Sequence, residues 1–237
     1  MKGGKLTAKE TNQFVSASYA KKKDAQKVGD YKLDKELSTK KNKVYVNPKT
    51  KKVVVANAGT SSATDWANNI GLVTGTSKST QRYKDVEKTQ KKAIKKYGKE
   101  NITNVGHSQS GSHVNEMAKK GLVKDAVVVN PALTKADKHV QVVRSSGDVV
   151  SALSSGKRKK TIKSKSFNPL TEHSADILGR DPQGVFGRGK PRRRVDRSMI
   201  GGKLVLGVPT EYEDIQEDPM EAFGNPFGVG MMMYDHT

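Results

Sequence analysis

The sequence contains no cysteine among its 237 residues. That excludes a disulfide scaffold, a thiolate-ligated zinc site and a thiol nucleophile, and it fits a reducing compartment. Aromatic residues are scarce, at 5%, and do not interleave with the basic runs, so stacking of nucleic-acid bases lacks a platform. No apolar run approaches the ~20 residues of a membrane-spanning helix. The opening MKGGKLTAKE lacks the apolar stretch of a secretory signal, so an intracellular protein is expected. Acidic residues are the minority: 24 stand against 44 Lys and Arg, for a formal charge of +20 and a pI near 9.9.

The positive charge is unevenly spread. Residues 178–237 hold 8 basic and 9 acidic residues, so the excess lies in the body of the chain. A body of this charge favours anionic partners, either nucleic-acid phosphates or an anionic membrane surface. Lys157-Arg-Lys-Lys160 and Arg192-Arg-Arg194 read as phosphate contacts, localisation signals or solvated loops. No helix-turn-helix, RNP-like or zinc-knuckle pattern accompanies them. The tail is rich in glycine and polarised, basic at 188–197 and acidic at 211–221. It has little helix or strand period and reads as an extended arm that docks on a protein partner. The expected division is a folded domain over residues 1–178 and a C-terminal arm over 179–237.

What is present is valine, and its placement locates the core. Of 25 valines, 16 lie between Val53 and Val150. Lys43–Val46 and Val53–Ala56 flank the turn tetrad Asn47-Pro-Lys-Thr50 and predict a hairpin. Tyr83, Val86, Ala93, Ile94 and Tyr97 form one apolar face of a Lys-rich helix that Gly98 ends. Ile102–Val105, Ala126–Val129 and Val140–Val143 read as buried strands. Gln109–Lys120 reads as a helix with Val114, Met117 and Ala118 inward. Alternating strands and helices predict an α/β fold with a parallel sheet.

Between the strand at Ile102 and the next helix lies Gly106-His-Ser-Gln-Ser-Gly111. It is close to the G-x-S-x-G turn that exposes a serine at the carboxyl edge of a sheet. Ser110 stands where that pattern has its second glycine. A Gly-Ser-rich turn opening a helix is the plain alternative for the motif on its own, and the strand before it and helix after it favour the serine turn. Asp148, after a glycine at a strand end, alone reads as a turn aspartate.

Three further segments give these residues a context. Ala56-Asn-Ala-Gly-Thr-Ser-Ser-Ala-Thr-Asp-Trp-Ala-Asn-Asn69 resembles the "strand, Gly-Thr/Ser, Asp-Trp, Asn" segment of class 3 (fungal-type) lipases. The serine turn is similar to the Gly-His-Ser-Leu-Gly-Gly of that family. Val142-Val-Arg-Ser-Ser-Gly-Asp-Val-Val150 is similar to its acid-bearing segment, and Asn168-Pro-Leu-Thr-Glu-His173 follows in its histidine position. The four segments occur in the family's order over roughly residues 10–178. The resemblance is to the compact, Lys-rich kind encoded by large DNA viruses of protists, which makes a virion component a second expectation.

The resemblance implies an α/β-hydrolase-like fold: a mostly parallel sheet flanked by helices, here with an extended C-terminal arm. It implies a carboxylic ester hydrolase, acting on an ester or lipid substrate without metal or cofactor. Ser108 would be the nucleophile, Asp148 the orienting acid and His173 the general base. Thr60 and Gln109 would supply the oxyanion hole. The alternative is a non-enzymatic structural or assembly protein on the same fold, binding protein partners or nucleic acid. His107 would pack beneath the serine turn, and His113 would aim away from Ser108. His139 and His236, and Asp125 and Asp137, are weaker candidates by position. Asp65 and Trp66 would fix the oxyanion loop and the core. The segment Ile70–Thr80 is short and polar for a lipase lid, which favours esterase over interfacial lipase activity.

Overall fold

The computed structural model describes residues 6–59, 80–132, 135–181 and 184, and the backbone of 198–200 and 203–205. The chain separates into two compact units, Met1–Gly189 and Lys190–Thr237. In the second, Ser198–Ile200 and Lys203–Val205 pair as an antiparallel hairpin. The rest of the tail, including Arg192–Arg194 and His236, lies outside the described residues, as do Thr60, Asp65, Trp66 and Ile70 to Ser79.

The first unit is built on one eight-stranded sheet whose strands lie side by side in chain order. Strands β1 (Lys27–Val28), β2 (Tyr31–Leu33), β3 (Asn42–Val46) and β4 (Val53–Asn57) form an antiparallel meander. The β3–β4 hairpin turns on Asn47, whose Oδ1 accepts the N–H groups of Lys49 and Thr50. From β4 onward the sheet is parallel through β5 (Ile102–His107), β6 (Ala126–Val129), β7 (Val140–Ser145) and β8 (Lys159–Ile162).

Helix α1 (Ala8–Tyr19) packs on one face of the sheet, and α2 (Gln81–Tyr97) and α3 (Gln109–Lys119) line the other. Strand alternation divides the core. Val54, Ala56, Val105, Val127, Val129 and Val143 meet Phe14 and Val15 of α1. On the opposite face Ala126, Val128, Val140 and Val142 meet Tyr83, Val86, Val114 and Met117, while Val53, Val55 and Ile102 meet Ala93. Strands covered on both faces read as continuous valine runs, which is why the sequence shows no alternation there. The mostly parallel sheet, flanked by helices and followed at β5 by a serine turn, is α/β-hydrolase-like.

Local signals account for the helix ends. Thr7 and Glu10 form a capping box that starts α1. At its other end the buried Lys43 ammonium donates to Ser18 O at 2.7 Å, satisfying a carbonyl where a cation is favoured. Thr80 caps α2 by accepting the Tyr83 N–H, and Gly98, at φ 76°, ends it.

The elements that the sequence expectation did not contain include α1 and β8. Helix α1 is not evident from apolar spacing, because only Phe14 and Val15 are large apolar residues on its buried face. Strand β8 occupies half of Lys157–Lys160, a run read from the sequence as phosphate contacts, a localisation signal or a solvated loop. It is an edge strand with only Ile162 buried, a place where lysines are tolerated and discourage further pairing.

Candidate functional site

Parallel strands deliver their following loops to one edge of a sheet. Ser108 follows β5 directly, Asp148 lies three residues beyond β7, and His173 ends α4 (Pro169–His173) after β8. Ser108 Oγ lies 2.9 Å from His173 Nε2, and His173 Nδ1 lies 2.9 Å from Asp148 Oδ1. The carboxylate can only accept, so Nδ1–H donates to Asp148 and Nε2 accepts from the Ser108 hydroxyl. All three residues are buried. Asp148 also accepts the Val150 and Ser151 N–H groups and the Ser151 hydroxyl, which fixes its rotamer.

Ser108 has φ 56° and ψ −130°, a conformation costly for a residue with a side chain, by roughly 1–3 kcal/mol. The surroundings enforce it. A Cβ on Gly106 would stand 3.0 Å from the Gly111 Cα and N, so strand and helix meet there only without a side chain. Ser110 takes up the space of the second glycine and tightens the turn. Its hydroxyl donates to Asn57 O at 2.6 Å and accepts the His107 N–H at 3.0 Å, joining the turn to the end of β4. Gln109 opens α3, so its backbone N–H has no intrahelical acceptor and is available to an anion beside Ser108. Thr60, the other expected oxyanion donor, lies outside the described residues. Its neighbour Gly59 lies against the turn: a Cβ there would be 2.6 Å from His107 O.

Beneath Ser108 runs a directed chain of hydrogen bonds. Gly59 N–H donates to the Tyr19 hydroxyl at 2.8 Å. Tyr19 Oη and His107 Nδ1 are 2.7 Å apart, and His107 Nε2 lies 2.9 Å from His173 O. The His173 carbonyl can only accept, so Nε2 carries the proton and Nδ1 accepts from Tyr19. Burial, aided by the nearby His173, pulls the His107 pKa down to about 4 and keeps the ring neutral. Burial likewise pushes the Tyr19 hydroxyl up to about 12, keeping it a donor.

The segment bearing His173 is held from three sides. Asn130, in the left-handed region at φ 42°, donates from Nδ2 to Glu172 O at 2.9 Å and Ser174 O at 3.2 Å. Its Oδ1 accepts Ser145 N–H at 2.9 Å. His107 holds the carbonyl between them. The buried Glu172 carboxylate forms a bidentate pair with Arg180, 2.7 Å at each oxygen, and accepts the Ser145 hydroxyl and the Lys165 and Ser166 N–H groups. Bonding to Arg180, then to Ser145 and the backbone, outweighs desolvation and lowers its pKa to about 2.

The other candidates lie elsewhere. His113 is buried edge-on to Tyr83, and burial with the Arg82 charge lowers its pKa to about 4. Asp137 Oδ1 accepts the His139 N–H, and Asp125 faces Arg158 at 3.7 Å. Among the described residues no cluster of His, Asp and Glu could hold a metal ion. A cavity lined by Leu6, Phe14, Val28, Tyr31 and Asn47 opens at the amino edge of the parallel strands, away from Ser108. Tyr19, Asn130, Glu172 and Arg180 escaped the sequence reading. Only Asn130 carried a local signal, an Asn-Pro turn at a strand end.

No family model and no curated protein matches the chain. Among solved structures, a triacylglycerol lipase from Penicillium expansum is similar over 61% of this chain and 70% of its own, at 18% identity and a TM-score of 0.40. At that score the likeness carries no argument about activity, and the fold assignment stands on the sheet order and the serine turn.

Proposed function

We propose that the chain is a serine hydrolase that cleaves carboxylic esters by two-step acyl transfer. The observation that supports this reading best is the hydrogen-bonded row from Ser108 through His173 to Asp148, set beyond the carboxyl ends of parallel strands. A serine hydroxyl is a weak nucleophile until a base takes its proton. Here Ser108 Oγ attacks the ester carbonyl as its proton passes to His173 Nε2. Asp148 orients the ring and stabilises the imidazolium. The developing oxyanion is held by the Gln109 N–H and, by the family resemblance, by Thr60. Each such donor contributes about 3 kcal/mol to the transition state. His173 then protonates the departing alkoxide, and water, deprotonated by the same nitrogen, releases the acid and restores Ser108.

The test is labelling of the purified protein by a fluorophosphonate, beside Ser108→Ala. Labelling that disappears in the variant is the expected result. A folded sample that takes no label in either form would overturn the hydrolase reading in favour of the assembly-protein alternative.

A further inference from the structure

The segment joining Asp148 to Glu172 has an unusual composition. It holds six basic residues, Lys157, Arg158, Lys159, Lys160, Lys163 and Lys165, and no acidic one. Arg158 and Lys160 face Asp125 and Asp181, whereas Lys157, Lys163 and Lys165 are exposed. The same segment holds Val149 at 59% exposure, Leu153 at 71%, Leu170 at 46% and a fully exposed Phe167. Among the described residues Tyr19, at 37%, is the one other exposed large apolar side chain, and its hydroxyl lies beneath Ser108. Single exposed apolar residues are ordinary. Here four of the five lie on the stretches that follow Asp148 and lead into His173, which the Asp148–His173 bond joins, and the fifth, Tyr19, is bonded to His107 next to Ser108.

The loop bearing Phe167 is braced. Glu172 accepts the Lys165 and Ser166 N–H groups, Ser146 Oγ accepts Ser164 N–H, and Ser166 Oγ accepts Asn168 N–H. A firm frame therefore holds a phenyl ring in water, where it gains nothing from its own chain. Exposed apolar side chains interspersed with exposed lysines along one segment match one environment well: hydrocarbon beneath a layer of anionic phosphates. A nucleic acid would use the cations and leave Phe167, Leu153 and Leu170 in water.

We propose that the loops at 149–153 and 163–170 form a docking surface for an anionic lipid bilayer. Docking there would bring Ser108 to esters held in the bilayer, so this use of the surface rests on the hydrolase reading while the docking itself does not.

The test uses the full chain carrying Ser108→Ala, which leaves the lipid intact and makes binding independent of catalysis. Co-sedimentation is measured with phosphatidylcholine vesicles and with the same vesicles containing phosphatidylglycerol. Binding to the anionic vesicles alone, weakened by salt, is expected. Adding Phe167→Ser with Leu153→Ser lowers partitioning by about tenfold or more, and Lys163→Gln with Lys165→Gln lowers it by roughly fivefold per charge. Both apolar positions are solvent-exposed, so the unfolding temperature stays unchanged and a folding defect is separable. Absence of binding to anionic vesicles would overturn the proposal. So would binding indifferent to Phe167 and Leu153, or a duplex DNA that displaces the vesicles and binds every variant equally.

Discussion

Replacing Glu172 with Gln removes one charge and almost no volume from the frame behind His173. The wild-type carboxylate pairs with Arg180 through both oxygens and accepts from Ser145, Lys165 and Ser166. The amide keeps one acceptor oxygen and turns a donor toward Arg180, whose side chain is only 14% exposed. The size of the loss follows from linkage. The carboxyl has a pKa of about 2 in the fold against 4.5 ordinarily, a difference that corresponds to about 3 kcal/mol at neutral pH. A depressed folded pKa contributes stability above 4.5, and that contribution fades as the pH falls from 4.5 towards 2. The variant should therefore unfold about 10 °C lower than wild type at pH 7, with the gap narrowing through that acid window. Thermal unfolding of both proteins at several pH values measures it, and taking the difference cancels the other carboxylates. The fluorophosphonate labelling rate should fall as well, because the segment bearing His173 loosens. A variant as stable as wild type at pH 7, or a gap that persists unchanged to pH 2, would refute the assignment of Glu172 as an ionised brace.

Other substitutions test neighbouring steps. Asp148→Asn should leave the protein folded and lower ester hydrolysis by about 10⁴-fold, because the ring loses its orienting acceptor; kinetics with a soluble ester measures this. Tyr19→Phe removes the acceptor of Gly59 N–H and the donor to His107. It should cost about 1–3 kcal/mol in urea unfolding and slow labelling of Ser108, and unchanged values in both would count against the chain of hydrogen bonds beneath the serine. Gly111→Ala places a Cβ 2.8 Å from the Pro131 Cβ and should destabilise by about 1–3 kcal/mol through overpacking. Unfolding at the wild-type midpoint would show that the contact yields without cost.

The sequence revealed the parts whose chemistry restricts both residue type and neighbours. A strained turn needs small residues around its serine, so Gly106, Ser110 and Gly111 were visible as a pattern. The valine runs of β4, β6 and β7 were visible because a strand buried on both faces admits little else. Helix α1 escaped because two large apolar residues in twelve make a weak period, although its capping box, Thr7 with Glu10, was a usable signal. Strand β8 escaped because an edge strand with one buried side chain looks like any basic run. The segment after Gly59, which the resemblance reads as an oxyanion loop, lies outside the described residues, so Thr60 is an expectation still.

The frame around His173 was illegible for a different reason. A carbonyl can be held by any donor that reaches it, and the donors come from far along the chain. Glu172 O and Ser174 O are held by Asn130, and His173 O by His107, 66 residues away. His107 is in turn bonded to Tyr19, 88 residues distant at the end of α1. No spacing rule links these positions, because the constraint is geometric and many residue types could meet it. The hydrogen-bonded row itself uses residue types that chemistry restricts narrowly, whereas its supports are one solution among several. Substitutions in the supports should therefore change stability and labelling rate by degrees, while substitutions in the row should slow the proposed reaction by orders of magnitude and leave the fold in place.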